Sequence, residues 1–144
     1  DEDLAICVLA GPHEEELYQS LLSESGTYFA DLGIQRTFRN SIVTIYSSDI
    51  VISTDTLSLH IALALRKPTV ALFGPTSPSL ILADSKVITL RAREDCAPCY
   101  KRTCIWTGVQ VGPPCLTEIS VPNIGAAVQR FKENPSVYAK PHNP

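Results

Sequence analysis

The chain has 144 residues, enough for one domain with a real hydrophobic core. Its 44% apolar and 19% charged residues are those of a globular protein, and a formal charge of -3 with scattered lysines and arginines leaves no basic face for nucleic acid. The longest apolar runs are strand-length and carry polar residues, so no segment is expected to span a bilayer.

The opening "DEDLAICVLAG" lacks the basic flank and longer apolar core of a secretory leader, and it reads as a chain entered in mid-protein. Residues 4–10 form a continuous apolar run ended by Gly11-Pro12, predicting a strand buried on both faces, with Cys7 a small core residue. "HEEELYQSLLSES" follows, with acids in its first turn and Leu17, Leu21 and Leu22 at helical spacing. Gly26 is expected to stop that helix. "GTYFADLGI" is a weaker extended segment, and "TFRNSIVTIYSS" places Phe38, Ile42 and Ile45 on one face of a short helix.

A second buried strand is expected at "DIVIS", from Asp49 to Ser53. From Thr56 to Arg66 the apolar residues run almost all round a helix, which should be largely covered and end before Pro68. "TVALFG" predicts a third strand closed by "GPTSP", and residues 86–90 a fourth. A cysteine-bearing loop comes next, then the helix "VPNIGAAVQRFKEN" with Pro122 near its start. Residues 134–144 read as a loose tail behind a domain of residues 1–133. Strands separated by helices predict an α/β layer fold with a parallel sheet.

In such sheets ligands sit beyond the carboxyl ends of the strands. Three polar clusters, "GPHEEE", "STDTLSLH" and "GPTSP", are expected at those ends, lining one edge. The start of a helix at "STDT" offers unpaired backbone N–H groups and a partial positive charge, a natural seat for phosphate. His60 lies four residues after Thr56, on the same helical face. The same pattern also describes an ordinary capped core helix with a satisfied histidine. Glu14 stands at the mouth of the first strand, able to accept hydrogen bonds from a ribose diol, though acids in a first turn also simply compensate the helix dipole. "FGPTSP" supplies a tight turn with two hydroxyls, a composition common without any ligand.

Taken in order, "GPHEEE", "SSDIVISTDTLSLHIALALRKPTVALFGPTSP" and "CAPCYKRTCIW…CL" resemble the C-terminal half of glycosyltransferase family 9, the heptosyltransferases that use ADP-heptose. The resemblance runs from about Leu4 to Phe131, and the cysteine block looks most like the branch that adds the second heptose. It implies a Rossmann-like parallel sheet flanked by helices, as the C-terminal domain of a GT-B glycosyltransferase. Carried over by position, Glu14 matches a ribose contact, Arg36 borders the adenine, and Thr56, Leu57 and Ser58 form the helix start that meets the diphosphate. Asp55 and His60 match side chains near the donor sugar, and Thr76 lies in a loop facing the cleft. The family usually has glycine where this chain has Leu57, whose bulk is expected to hold the donor further out or more weakly.

For a complete enzyme the resemblance implies metal-independent, inverting transfer without a cofactor. Its partners are ADP-heptose or a related nucleotide sugar and a lipopolysaccharide core acceptor. The catalytic base and a phosphate-binding lysine are expected in an N-terminal domain, so this chain is expected to be inactive by itself. The implied location is the cytoplasm or the inner face of the bacterial inner membrane. Two other functions compete: a non-catalytic nucleotide- or sugar-binding module, and a zinc-stabilised interaction domain. The last rests on Cys96, Cys99, Cys104 and Cys115, spaced C-x2-C-x4-C-x10-C. Its leading pair has the bite for zinc, but zinc knuckles more often carry two such pairs; reduced thiols and facultative disulfides are the alternatives. Tyr100 and Trp106 beside Lys101 and Arg102 suit either an acidic acceptor or a solvated loop anchored by one tryptophan.

Overall fold

A computed structural model of the chain describes residues 4–25, 29–30, 34, 37–81, 85–92, 94–105 and 113–134. Gly26, Arg36, Trp106 and the segment 135–144 lie outside the described residues. Two compact units divide the chain, Asp1–Ser47 and Ser48–Pro144.

In the first unit, strand β1 (Ile6–Cys7) pairs in parallel with β2 (Phe29–Ala30), Ile6 opposite Phe29. Helix α1 (Glu15–Ser25) buries Tyr18, and α2 (Phe38–Ser47) buries Ile45. One apolar residue per helix therefore enters a small core, while Leu17 and Phe38 stay exposed. The expected strand over residues 4–10 is thus corrected to two residues, and Ile6 and Cys7 are exposed rather than buried. Burial on both faces needs a layer on each side, and the described elements of this unit leave both residues open.

The second unit is a three-stranded parallel sheet in the order β3 (Val51–Thr54), β4 (Thr69–Phe73), β5 (Val87–Arg91). Val51 pairs with Thr69, and Thr69 with Val87, so all three carboxyl ends finish on one edge. Side chains alternate across the central strand, and that alternation divides the core into two layers. Val70 packs with Ala127 and Phe131 of α5 (Val121–Lys132), joined by Leu72, Ile88 and Leu90. Ala71 and Phe73 pack on the opposite face with Leu59 of α3 (Leu57–Ala64), joined by Leu63 and Val87. Each such buried aliphatic or aromatic side chain contributes roughly 1.5–3 kcal/mol relative to exposure. Ser120 caps α5 by accepting from the Asn123 N–H at 3.3 Å, with Pro122 in the first turn where its missing N–H costs nothing.

Two expectations need correction here. Ile52 is half exposed although its strand was expected to be buried: it pairs with Val70 on the α5 side, and α5 packs over β4 and β5 rather than the edge strand β3. Helix α3 is not largely covered either, because Leu57 and His60 are exposed while Leu59, Ile61 and Ala62 are buried. It ends at Leu65, with Arg66 in the left-handed region (φ 53°) and the Lys67 N–H closing onto the Ala62 carbonyl at 2.9 Å. That is a Schellman stop made without glycine, at a cost of about 1–2 kcal/mol. Inside the expected loop lies a short helix, α4 (Pro114–Thr117), packed on β4.

Candidate functional site

The chemistry of the second unit gathers where β3, β4 and β5 end. Beyond β3 the backbone passes through Asp55 and Thr56 into α3. Thr56 is the N-cap, with extended backbone (φ -137°, ψ 178°), yet its side chain makes no capping bond. Its hydroxyl turns back instead, donating to the Thr54 carbonyl at 3.3 Å and lying 3.2 Å from the Ser53 hydroxyl, which itself donates to the Thr54 carbonyl at 2.9 Å. An N-cap threonine ordinarily accepts from the second or third amide of its helix. Here the hydroxyls satisfy one another and the strand end, so the amides of Leu57, Ser58 and Leu59 have no acceptor among the described residues. The first backbone bond of the helix is that from the His60 N–H to the Thr56 carbonyl, at 3.4 Å. Three free N–H groups at the positive end of a helix dipole suit an oxyanion.

His60 is exposed, and its Nε2 lies 3.4 Å from Asp55 Oδ1. The pair spans the mouth of the helix, one member just ahead of the N-cap and the other one turn in. A polar partner for a buried histidine was therefore not needed; the imidazole faces outward and keeps a carboxylate neighbour. Leu57, at the first helical position, is 62% exposed, so its side chain serves no core.

Strand β4 ends in "GPTS". A Cβ on Gly74 would come within 2.6 Å of Leu116 Cγ, so only glycine lets α4 approach this turn. Thr76 carries a buried hydroxyl oxygen with no hydrogen-bond partner among the described residues. Such an orphan is uncommon in a native protein and marks a place for a ligand or water. Ser77, by contrast, is committed to local structure: its Oγ accepts from the Ser79 N–H at 3.2 Å, opening the 3₁₀ turn Pro78–Leu80.

Six of the expected site residues, Asp55, Thr56, Leu57, Ser58, His60 and Thr76, thus share one edge of one sheet, on the loops after adjacent strands. Glu14 belongs to the first unit, where its Oε2 accepts from the Gly11 N–H at 2.7 Å and its carbonyl accepts from the Tyr18 N–H at 2.8 Å. It begins α1 and closes the turn after β1, leaving its second carboxylate oxygen for another donor. Arg36 lies outside the described residues.

The loop after β5 brings together the four cysteines that the sequence singled out. The N–H groups of Cys99 and Tyr100 both donate to the Pro75 carbonyl, at 3.0 and 2.8 Å, and Arg91 Nη2 donates to the Ala97 carbonyl at 3.0 Å. The cysteine loop is thereby tied to the ends of β4 and β5. Cys96, Cys99, Cys104 and Cys115 line one cavity of about 350 Å³ with Lys101 and Arg102. The C-x2-C-x4-C-x10-C spacing was the sequence signal for this convergence. All are free thiols, and no three metal-ligating side chains among the described residues stand grouped to hold an ion. Burial pushes the Cys115 thiol up from its ordinary value, and the charges of Cys104, Cys96 and Cys99 push it further.

Comparison with known proteins gives this arrangement a family. One relative is lipopolysaccharide heptosyltransferase 1 of Pseudomonas aeruginosa, 41% identical over 56 residues, or 38% of this chain and 16% of that protein. Another is lipooligosaccharide heptosyltransferase 2 of Haemophilus influenzae, 33% identical over 67 residues, 46% of this chain and 19% of that protein. Among solved structures, E. coli ADP-heptose LPS heptosyltransferase II superposes with a TM-score of 0.70 at 18% identity, covering 93% of this chain and 39% of the other. That likeness establishes the fold, the Rossmann-like α/β layer of a GT-B enzyme; the chain spans well under half the length of the proteins it matches. The profile of glycosyltransferase family 9 (heptosyltransferase) matches residues 1–110, and the chain belongs to that family.

Proposed function

We propose that this chain is the donor-binding part of a heptosyltransferase, and that the start of α3 receives the diphosphate of ADP-heptose or a closely related nucleotide sugar. The observation that carries the proposal is the uncapped helix: Thr56 turns its hydroxyl away and leaves the amides of Leu57, Ser58 and Leu59 free. The family match and the two heptosyltransferase relatives support the donor class. In this reading the Asp55–His60 pair borders the sugar and the Thr76 hydroxyl gains a ligand partner. Glu14 and Arg36 contact the nucleoside. The free amides stabilise negative charge building on the departing ADP, the kind of preorganised electrostatic contribution that dominates much transfer chemistry. The acceptor is the lipopolysaccharide inner core, met on the cytoplasmic side. No helix among the described residues is long and apolar enough to cross a membrane.

Leu57→Pro tests the helix start directly. Proline is tolerated at the first helical position, and Thr56 already has the extended backbone that a following proline demands. The substitution deletes one amide while sparing the helix. A hydrogen bond to a charged group contributes about 1.5–3 kcal/mol, so ADP affinity by calorimetry should fall roughly tenfold or more. Unchanged affinity, with helix content intact by circular dichroism, would remove the diphosphate from this helix. Non-catalytic nucleotide binding is the second reading, favoured by Leu57 standing where the family usually carries glycine.

A further inference from the structure

We propose that Cys96 and Cys99 form a dithiol site that undergoes thiol–disulfide exchange with a small anionic disulfide, which Lys101 and Arg102 attract to their shared cavity. Four of the five cysteines face this cavity, although they are spread over twenty positions of sequence. Cys96, Cys99 and Cys104 are half-buried, open to a small reagent, whereas Cys115 is buried. The turn bearing the first pair is anchored on both sides. The Ala97 N–H donates to the Glu94 carbonyl at 3.0 Å, the Ala97 carbonyl accepts from Arg91, and the Cys99 and Tyr100 amides hold the Pro75 carbonyl. Two thiols three residues apart on a fixed turn, lining one cavity, have the spacing of exchange-active dithiols.

The remaining groups assign roles. Exchange requires a thiolate. Cys115 is buried, and burial also pushes its thiol up, so it is a bystander; of the three half-buried cysteines, Cys96 and Cys99 are the two that share the anchored turn. Lys101 and Arg102 are not paired with a carboxylate among the described residues, so their charge is available to an incoming anion. An apolar, thiol-lined cavity of a few hundred Å³ with two cations fits a compact acidic molecule. In the reaction one cysteine thiolate attacks a sulfur of the incoming disulfide, forming a mixed disulfide and expelling one thiolate. The second cysteine then attacks the protein-bound sulfur, closing Cys96–Cys99 and expelling the other half. Two protein thiols lose two electrons and two protons; the small disulfide gains them and leaves as two thiols.

Oxidised glutathione is the probe. Incubated with the native chain, it should remove two hydrogens from the protein mass and yield a Cys96–Cys99 cross-linked peptide. Cys99→Ser should stop at one bound glutathione, on Cys96. Lys101→Glu with Arg102→Glu should slow oxidation by glutathione disulfide about tenfold at low ionic strength, and leave the rate with uncharged 2-hydroxyethyl disulfide unchanged. The proposal fails if all thiols remain titratable after glutathione treatment, or if the cross-link maps to other cysteines. It also fails if charge reversal slows both oxidants alike, or if the purified chain carries stoichiometric zinc that blocks the pair.

Discussion

At Leu57 a side chain and a backbone amide pull in different directions. The amide is one of three free donors at the start of α3, while the side chain is exposed and adds bulk where the family usually has glycine. Leu57→Gly keeps the donor and removes the bulk. At a first helical position the conformational cost of glycine is at most about 1 kcal/mol. ADP should therefore bind more tightly to the glycine variant, with thermal stability slightly lower; weaker binding would mean that leucine itself contacts the nucleotide. Cys115 offers a pH test at the same scale. Its folded pKa is raised above the ordinary thiol value of 9.0, first by burial and then by Cys104, Cys96 and Cys99. Above that value the unfolded chain has released a proton that the native state still holds, so the stability linked to this thiol is full below it and lost as pH rises further. Urea denaturation across pH 8 to about 10.5 should show falling stability, and Cys115→Ala should flatten the slope while lowering stability throughout.

Among the elements, the turn after β4 is a tight junction. An added Cβ on Gly74 would meet Leu116 Cγ at 2.6 Å, Leu116 Cδ2 at 2.9 Å and Cys115 Sγ at 3.1 Å. Gly74→Ala must push α4 or reorient Leu116, and overpacking of this kind costs about 1–3 kcal/mol. Adding Leu116→Ala should restore part of that loss, a favourable coupling in a double-mutant cycle followed by urea denaturation. Additive losses would place the strain elsewhere. This junction also shows what the sequence could disclose. The break at Ser53–Thr56 and the helix that follows it were legible, because helix-start signals act over neighbouring residues; which face of α3 is covered was not, because its apolar residues run almost all round. A parallel sheet flanked by helices followed from alternating segments, whereas the strand order β3-β4-β5 is seen only in the fold. The exposure of Ile6, Cys7 and Ile52 was not legible, since burial depends on which layers cover a strand. Nor was α4, a four-residue helix begun by Pro113-Pro114, or the anchoring of the cysteine loop, whose four thiols the spacing had grouped, on the distant Pro75 carbonyl. The orphaned Thr76 hydroxyl is likewise a tertiary fact: the motif places a threonine in a turn, and only packing removes its partners.

At the scale of the molecule, the second unit has its own two-sided core and holds every element of the proposed diphosphate seat. Val70 with Phe131 covers one face of its sheet, and Ala71 and Phe73 with Leu59 the other, so each face has a core built from this unit's own residues. A polypeptide of residues 48–134 should then unfold cooperatively and still bind ADP, more weakly than the whole chain if Glu14 and Arg36 contact the nucleoside. Loss of all ADP binding by a folded 48–134 polypeptide would move the diphosphate away from α3. Transfer asks for more than donor binding. An acceptor hydroxyl must lose a proton as it attacks, and Asp55, two residues ahead of the first free amide, already lies beside His60. We expect the 144-residue chain to bind ADP-heptose without moving its sugar; mass spectrometry of a lipopolysaccharide core acceptor incubated with both should find no added heptose. An acceptor gaining one heptose, with the activity lost in Asp55→Asn, would instead make Asp55 the base and this chain a complete catalyst.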